Sequence, residues 1–134
     1  MKRVEVVAAF IQASDRFLIA RRTAGLRAGR WELPGGKQEA GESRQQALER
    51  EIREEMNASI KASEEIAAIN WDYPDISVSL HLLKAQLIAG EPEQLEHSAL
   101  AWIRLDDADE YDLCEADREL IRQLKEKHHC SANN

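Results

Sequence analysis

The segment from Ser43 to Asn57, SRQQALEREIREEMN, constrains the fold more than any other, because its apolar residues Leu48, Ile52 and Met56 recur every four positions, the period of a helix laid against a core. Ser43 is a good N-cap, and Gln46 three residues on completes a capping box. Asn57 suits the left-handed C-cap that ends such a helix, being the residue after glycine that best tolerates that backbone. At about 100° per residue, Glu51, Glu54 and Glu55 gather on a face roughly a quarter turn from the apolar stripe. Like charges at these spacings repel. A hard divalent cation is the simplest agent that turns the repulsion into binding. One helix is therefore expected to pack and to hold metal at once.

Around it the pattern alternates between strand and helix signals. Val4 to Phe10 is rich in β-branched residues, Ser14-Asp15 reads as a turn, and Phe17 to Arg21 returns as the second strand of a hairpin. Thr23 to Arg30 is a polar loop, and Trp31-Glu32-Leu33 is a short extended piece. Pro34-Gly35-Gly36 reads as a sharp turn at which the backbone can approach a ligand closely. Ile66 to Trp71 and Ile76 to Leu87 are expected strands joined through Asp72-Tyr73-Pro74-Asp75, with Val78, Leu80 and Leu82 in period-two alternation. Gly90-Glu91-Pro92 opens a loop, and Ala101 to Arg104 is a short strand around Trp102. Glu115 to Lys127 is an amphipathic helix on Leu120, Ile121 and Leu124, and residues 128 to 134 read as a flexible tail. Strands, a helix, more strands and a terminal helix indicate a mixed sheet covered on both sides.

The 134 residues, 43% of them hydrophobic, suit one domain spanning 1–134 with its own core. A net charge of -7 and a pI near 5.1 argue against binding nucleic-acid polymers through a basic surface. Glu5 interrupts the first apolar stretch, so it reads as a strand and not a signal peptide. No apolar run is long enough for a membrane span. Cys114 and Cys130 form neither a metal-like spacing nor a disulfide framework, which fits a reduced, cytoplasmic setting. His81, His97 and the His128-His129-Cys130 run carry little weight as ligands.

Read from Gly36, the chain has five residues, Glu42, seven residues, and then Arg50-Glu51-Ile52-Arg53-Glu54-Glu55. This resembles the Nudix hydrolase signature almost position for position, with Asn57-Ala58 where the family has Gly and an apolar residue. Four stretches extend the resemblance from Val4 to about Leu124: VEVVAAFIQ, IARR, RWELPGGKQEAGES, and EHSALAWIRLDD with the EADRELI that follows. They are most similar to the MutT-like nucleoside triphosphate pyrophosphohydrolases. The resemblance implies an α/β/α sandwich and Mg²⁺, or Mn²⁺, held by Glu51, Glu54 and Glu55 with the carbonyl of Gly35 or Gly36. It implies that Glu51 or a neighbouring Glu orients or deprotonates the attacking water, and that Glu42 and Arg50 brace the loop against the helix. Glu96 matches a late loop Glu that many relatives bring to the metal or the water.

For the substrate, the resemblance implies a phosphate contact from Arg22 or adjacent Arg21, whose planar fork matches phosphate oxygens, and a second from Lys37. Asp117 stands where relatives select the base, and an ionised Asp favours a donor-rich edge. Leu33 and Tyr73 would form an apolar slot for that base. A phosphate- or base-contacting Arg of the MutT enzyme is replaced here by Ile76. The expected reaction is Mg²⁺-dependent attack of water on a nucleoside triphosphate, releasing a monophosphate and pyrophosphate, by a monomer or weak homodimer. Two other readings are a Nudix hydrolase of another diphosphate (an RNA 5′ end, a dinucleoside polyphosphate or a nucleotide sugar) and a non-catalytic nucleotide-sensing module.

Overall fold

Five consecutive residues of the first strand, Val7 to Ile11, are at most 6% exposed. An unbroken apolar run of this kind belongs to a strand buried on both faces, and in the computed structural model, which describes residues 3–132 with side chains to Lys127, it is the centre of the sheet. Strand β1 (Val4–Ala13) runs parallel to β6 (Ser77–Ala89) from Val4↔Val78 to Ile11↔Ala85. Its far end turns through Ser14, at a left-handed φ of 60°, into the antiparallel β2 (Arg16–Arg22). Outside that core lie β5 (Ser59–Asp72) on β6, and β3 (Trp31–Glu32) and β7 (His97–Ile103) on β2. The sheet has seven strands and mixed direction.

Side-chain alternation along these strands separates two cores. Val7, Ala9 and Ile11 of β1, with Leu18 and Ala20 of β2, face helix α1 (Arg44–Met56) through its buried Leu48, Ile52 and Met56. Ala8, Phe10, Phe17, Ile19, Leu80 and Leu82 face helix α2 (Glu115–Ala132) through Leu120, Ile121 and Leu124. The arrangement is the expected α/β/α sandwich. Each fully buried Leu or Ile contributes roughly 1.5–3 kcal/mol relative to exposure, so α1 is held chiefly by its stripe.

The ends of α1 are as the sequence predicts. Ser43 and Gln46 form the reciprocal capping box, and Asn57 closes the helix at φ 52°, ψ 38°. Two helical side chains also repair the sheet below. Strand β5 is about twice the expected length because it continues through register shifts between Ala62 and Ala67. Backbone groups near that irregularity are taken up from α1: Glu49 Oε2 accepts from the Ala62 N–H at 3.0 Å, and Gln45 donates to the Ser63 carbonyl at 3.0 Å.

Three further expectations are corrected. Gly35 and Gly36 do not make a sharp turn: the bend falls at Pro34, and Gly35–Lys37 is a strand, β4, antiparallel to β1 with Ala8↔Gly35 and Val7↔Gly36. The glycines serve close approach instead, since a Cβ on Gly35 would overlap the Val7 carbonyl oxygen. The last strand begins at His97, four residues before the expected Ala101, because its pairing with β2 continues past a register shift. Helix α2 runs to Ala132 and does not stop at Lys127; what remains of the expected tail, residues 133 and 134, lies outside the described residues. No helix among the described residues is long and apolar enough to cross a membrane.

The β4 packing gives a stability prediction. Gly35→Ala forces a methyl group into backbone and not into a movable side chain, so it should lower the unfolding free energy by about 1–3 kcal/mol or more, read from the urea midpoint at constant m-value.

Candidate active site

Pairing β4 with β1 lays Gly36 directly beneath α1. A Cβ at Gly36 would collide with the Glu51 carboxylate. With hydrogen there instead, Glu51 folds down against the strand, its side chain 15% exposed, and meets Glu55 one turn further on. Glu55 is the anomaly of the site: its Oε2 is buried and has no hydrogen-bond partner. Burial first, and then the charge of Glu51 beside it, push the Glu55 carboxyl well above the ordinary carboxylate range, with Glu32 and Glu96 adding smaller contributions. Without a cation Glu55 is therefore held in its neutral form, because ionising it in partial burial beside Glu51 is costly.

Arg50 holds the remaining acids. Its Nε and Nη2 donate to the two oxygens of Glu42 at 2.7 and 3.0 Å, a bidentate pair, while Nη2 also donates to the Lys37 carbonyl at 3.1 Å. Nη1 donates to Glu51 at 3.0 Å and to Glu54 at 3.3 Å. One guanidinium thus ties the loop after β4 to the helix and fixes Glu51. These bonds raise the Arg50 pKa and hold that of Glu42 below the usual carboxylate range. Glu54 stays 59% exposed. Among the described residues, no three acidic, His or Cys side chains already converge as a ligand set. The helix delivers Glu51 and Glu55 together, with Glu54 linked to Glu51 through Arg50.

A cleft of about 300 Å³ opens from this point. Gly35, Gly36, Lys37 and Glu55 line one part of it, and Leu33, Tyr73, Ile76 and Asp117 also face it. Leu33 is only 3% exposed, so it contributes floor more than slot, and its backbone N–H donates to Asp117 Oδ2 at 2.9 Å. Tyr73 accepts from the Ala116 N–H through its hydroxyl at 2.9 Å. Asp117 lies in the first turn of α2 and is buried; that burial, then the charge of Glu32, push its carboxyl up to about 7 against the pull of the Leu33 N–H. Glu96 is exposed at the mouth of a second, smaller cavity that shares Arg22, Glu32 and Glu55 with the first region. The depression these two cavities form is lined by most of the expected residues, but not by Glu51 and Glu54, which Arg50 holds beside it.

Two residues that sequence reasoning passed over organise this depression. Glu32 accepts from Arg22 Nη1 at 2.8 Å, and its other oxygen lies 3.0 Å from His97 Nε2, so it joins β3, β2 and β7 and orients the proposed phosphate-binding Arg22. Arg27 stacks over Tyr73 and pairs with Asp75. Glu32 sits inside the matched RWELPGGK run, which was its one sequence signal; Arg27 had none.

The oxygen-rich donor set fits a hard divalent cation. Comparisons with known proteins identify the family. The NUDIX domain model matches residues 6–123. The chain is 38% identical over 122 residues to the CTP pyrophosphohydrolase of Escherichia coli K12, covering 90% of each chain. It is 28% identical over 127 residues to the 8-oxo-dGTP diphosphatase of the same organism, covering 93% of this chain and 98% of that one. The solution structure of the E. coli ORF135 protein superposes with a TM-score of 0.76 at 37% identity, over 91% of this chain and 88% of the other.

The buried acid at the α2 end generates a pH prediction. Asp117 titrates near 3.9 when unfolded and at about 7 when folded. The folded state therefore holds the proton more tightly; the resulting stabilisation is complete below about pH 4 and is lost as pH rises through 7. Asp117→Asn keeps an acceptor for the Leu33 N–H but cannot ionise. Urea unfolding across this window should show the variant losing less stability with pH than the parent, by up to about 1.4 kcal/mol per pH unit.

The family model's match from residue 6 to 123 and kinship across nine-tenths of the chain lead to one conclusion: this chain belongs to the Nudix family and is a hydrolase of phosphoric anhydride bonds.

Proposed function

We propose that this chain is a Mg²⁺-dependent nucleoside triphosphate pyrophosphohydrolase, cleaving its substrate to a nucleoside monophosphate and pyrophosphate. One observation carries the reading: Glu55, pressed against Glu51 in partial burial and with a carboxylate oxygen left unpartnered, lines one part of a cleft that also presents Tyr73 and Asp117. Stability alone does not favour such an arrangement. Support also comes from relatives named for CTP and for 8-oxo-dGTP.

When bound, Mg²⁺ supplies charge neutralisation to phosphate oxygens and lowers the pKa of a water. Glu51, Glu55 and Glu54 are its proposed ligands, with the carbonyl of Gly35 or Gly36 and with Glu96 approaching from the loop before β7. Arg50 keeps Glu51 aimed at the cleft and is a positioning residue. Arg22 and Lys37 take the phosphate chain, Arg22 in the orientation set by Glu32. A carboxylate of the Glu51/Glu55/Glu96 group takes the proton of the attacking water. Attack at the β-phosphorus breaks its bond to the oxygen bridging to the α-phosphorus, and that oxygen leaves with the monophosphate. At the other part of the cleft Tyr73 and Leu33 offer apolar contact to the base, and Asp117 offers an acceptor, or a donor when protonated.

The test is turnover of a panel of ordinary and oxidised nucleoside triphosphates with Mg²⁺ in ¹⁸O-labelled water. Monophosphate and labelled pyrophosphate are expected; orthophosphate would refute the bond assignment, and no turnover with any nucleotide would favour a sensing role. Glu55→Gln should lower kcat by at least about 100-fold. The same change should raise the melting temperature of the metal-free protein, since it removes a carboxylate that burial and Glu51 both disfavour. Loss of rate together with loss of stability would instead indicate a structural role for Glu55.

A further inference from the structure

Arg27 occupies an unusual position for a loop residue. It sits in the turn between β2 and β3, bracketed by Gly25 and Gly29, both at φ +86°. That turn is closed by its own backbone: the Gly29 N–H donates to the Arg22 carbonyl at 2.9 Å, and the Arg22 N–H to the Arg30 carbonyl at 2.8 Å. From this frame Arg27 reaches the connection between β5 and β6. Its Nη1 and Nη2 donate to the two oxygens of Asp75 at 2.8 and 3.2 Å, and its guanidinium lies over the Tyr73 ring, 4.1 Å from the centroid. A bidentate pair fixes the plane of the fork and the ring beneath fixes its height. The side chain is 20% exposed and lines the same cleft as Tyr73, Ile76 and Asp117.

What such a group offers a ligand follows from its pairing. Asp75 offsets much of its charge, so Arg27 has less pull on a phosphate than a free cation would. Two of its five N–H donors are used on Asp75, and the rest have no acceptor among the described residues. Ile76 beside it is apolar, so on this wall Arg27 is the group that offers directed donors. A neutral acceptor suits it, and nucleobases carry one: the carbonyl oxygen of cytosine, uracil, thymine or guanine. Adenine has no carbonyl: its acceptors are ring nitrogens, and its amino group, standing where guanine has a carbonyl, would set N–H against N–H. Stacked on Tyr73, the guanidinium also presents a flat face to the ring.

We propose that Arg27, held by Asp75 and Tyr73, is a specificity-determining residue that donates to a base carbonyl and thereby favours carbonyl-bearing nucleotides over adenine nucleotides. The proposal rests on the pyrophosphohydrolase reading and deepens it by naming a base feature that the site selects. Arg27 is distant in role from the water and the phosphates, so the effect falls on base-dependent binding and leaves the chemical step alone.

The experiment compares the parent chain with Arg27→Gln and Arg27→Lys, using CTP, GTP and ATP as substrates and inorganic triphosphate as a competitive inhibitor lacking any base. Calorimetric titration with CMP, GMP and AMP serves as a binding measurement that needs no turnover. Losing a charge-assisted bond should raise KM for CTP and GTP about tenfold or more in Arg27→Gln, with kcat changed less than about twofold. The ATP KM should fall or stay the same, since adenine gains nothing from Arg27, and the inhibition constant of inorganic triphosphate should not move. Arg27→Lys, which keeps charge but loses the planar fork, should fall between, and it carries the test should the Gln variant fail to fold. An equal rise for all three nucleotides, a shift in the triphosphate constant, or unchanged KM values would each overturn the assignment. If the parent turns over nucleotides and Arg27→Gln keeps the same base ranking, this inference alone fails. If the parent neither hydrolyses nor binds any nucleotide, the pyrophosphohydrolase reading fails and this inference with it.

Discussion

The contact on which the site depends is between a glycine and a carboxylate. Gly36 lies so close to Glu51 that no other residue leaves room for it, and that closeness turns Glu51 inward towards Glu55. A side chain at Gly36 would push Glu51 outward, where like-charge repulsion with Glu55 is screened by water and costs little. Turned inward, the two acids stand in a partly desolvated place where repulsion is strong and a cation is correspondingly welcome. The pairing of β4 with β1 is what brings Gly36 there, and Gly35 makes that pairing possible by admitting the Val7 carbonyl. The two glycines thus have separate steric duties, one towards the sheet and one towards the helix.

Helix α1 is consequently under two demands on neighbouring faces. Leu48, Ile52 and Met56 are fully buried and anchor it, which leaves the acid face free to be electrostatically unfavourable. Arg50 moderates that cost by taking one oxygen each from Glu51 and Glu54 and both from Glu42. Its bonds are selective: it reaches Glu51 but leaves Glu55 Oε2 without a partner. A second cation on Glu55 would stabilise the folded chain and compete with any metal. The arrangement therefore has the character of a site prepared for an ion.

Much of this was legible in the sequence, for reasons that can be stated residue by residue. The capping box of Ser43 and Gln46, the left-handed Asn57 and the four-residue apolar stripe are local effects, and each appears as expected. The two-sided burial of β1 follows from an apolar run too short for a membrane span. The glycine pair was misjudged because local propensity treats Pro-Gly-Gly as a turn, whereas β1 offered it a ladder partner more than twenty residues away. The length of β5 exceeds the expectation because Lys61, Glu64 and Glu65 look like loop residues, and it takes side chains of α1, Glu49 accepting from Ala62 and Gln45 donating to Ser63, to satisfy the backbone of the irregular ladder. Glu32 and Arg27 take their meaning from partners on other strands and loops. Periodicity cannot reveal pairings of that kind.

The two parts of the cleft also differ in how they treat a proton. At the α1 part, Glu55 is raised first by burial and then by Glu51, a neighbour that a bound cation would neutralise, so binding there should release the proton and restore two ligands. At the α2 part, Asp117 is raised by burial and by Glu32, with the Leu33 N–H opposing, and no cation is needed to explain its surroundings. With a folded value of about 7, Asp117 is present in both protonation states near neutrality and can meet either an acceptor or a donor. Arg27, tied to Asp75, stays a donor throughout. A base bound between them would thus meet one fixed partner and one adjustable partner, and in that division of labour the fixed group excludes while the adjustable group admits. A cleft built this way should accept a range of carbonyl-bearing bases, damaged ones included, while keeping a consistent aversion to adenine.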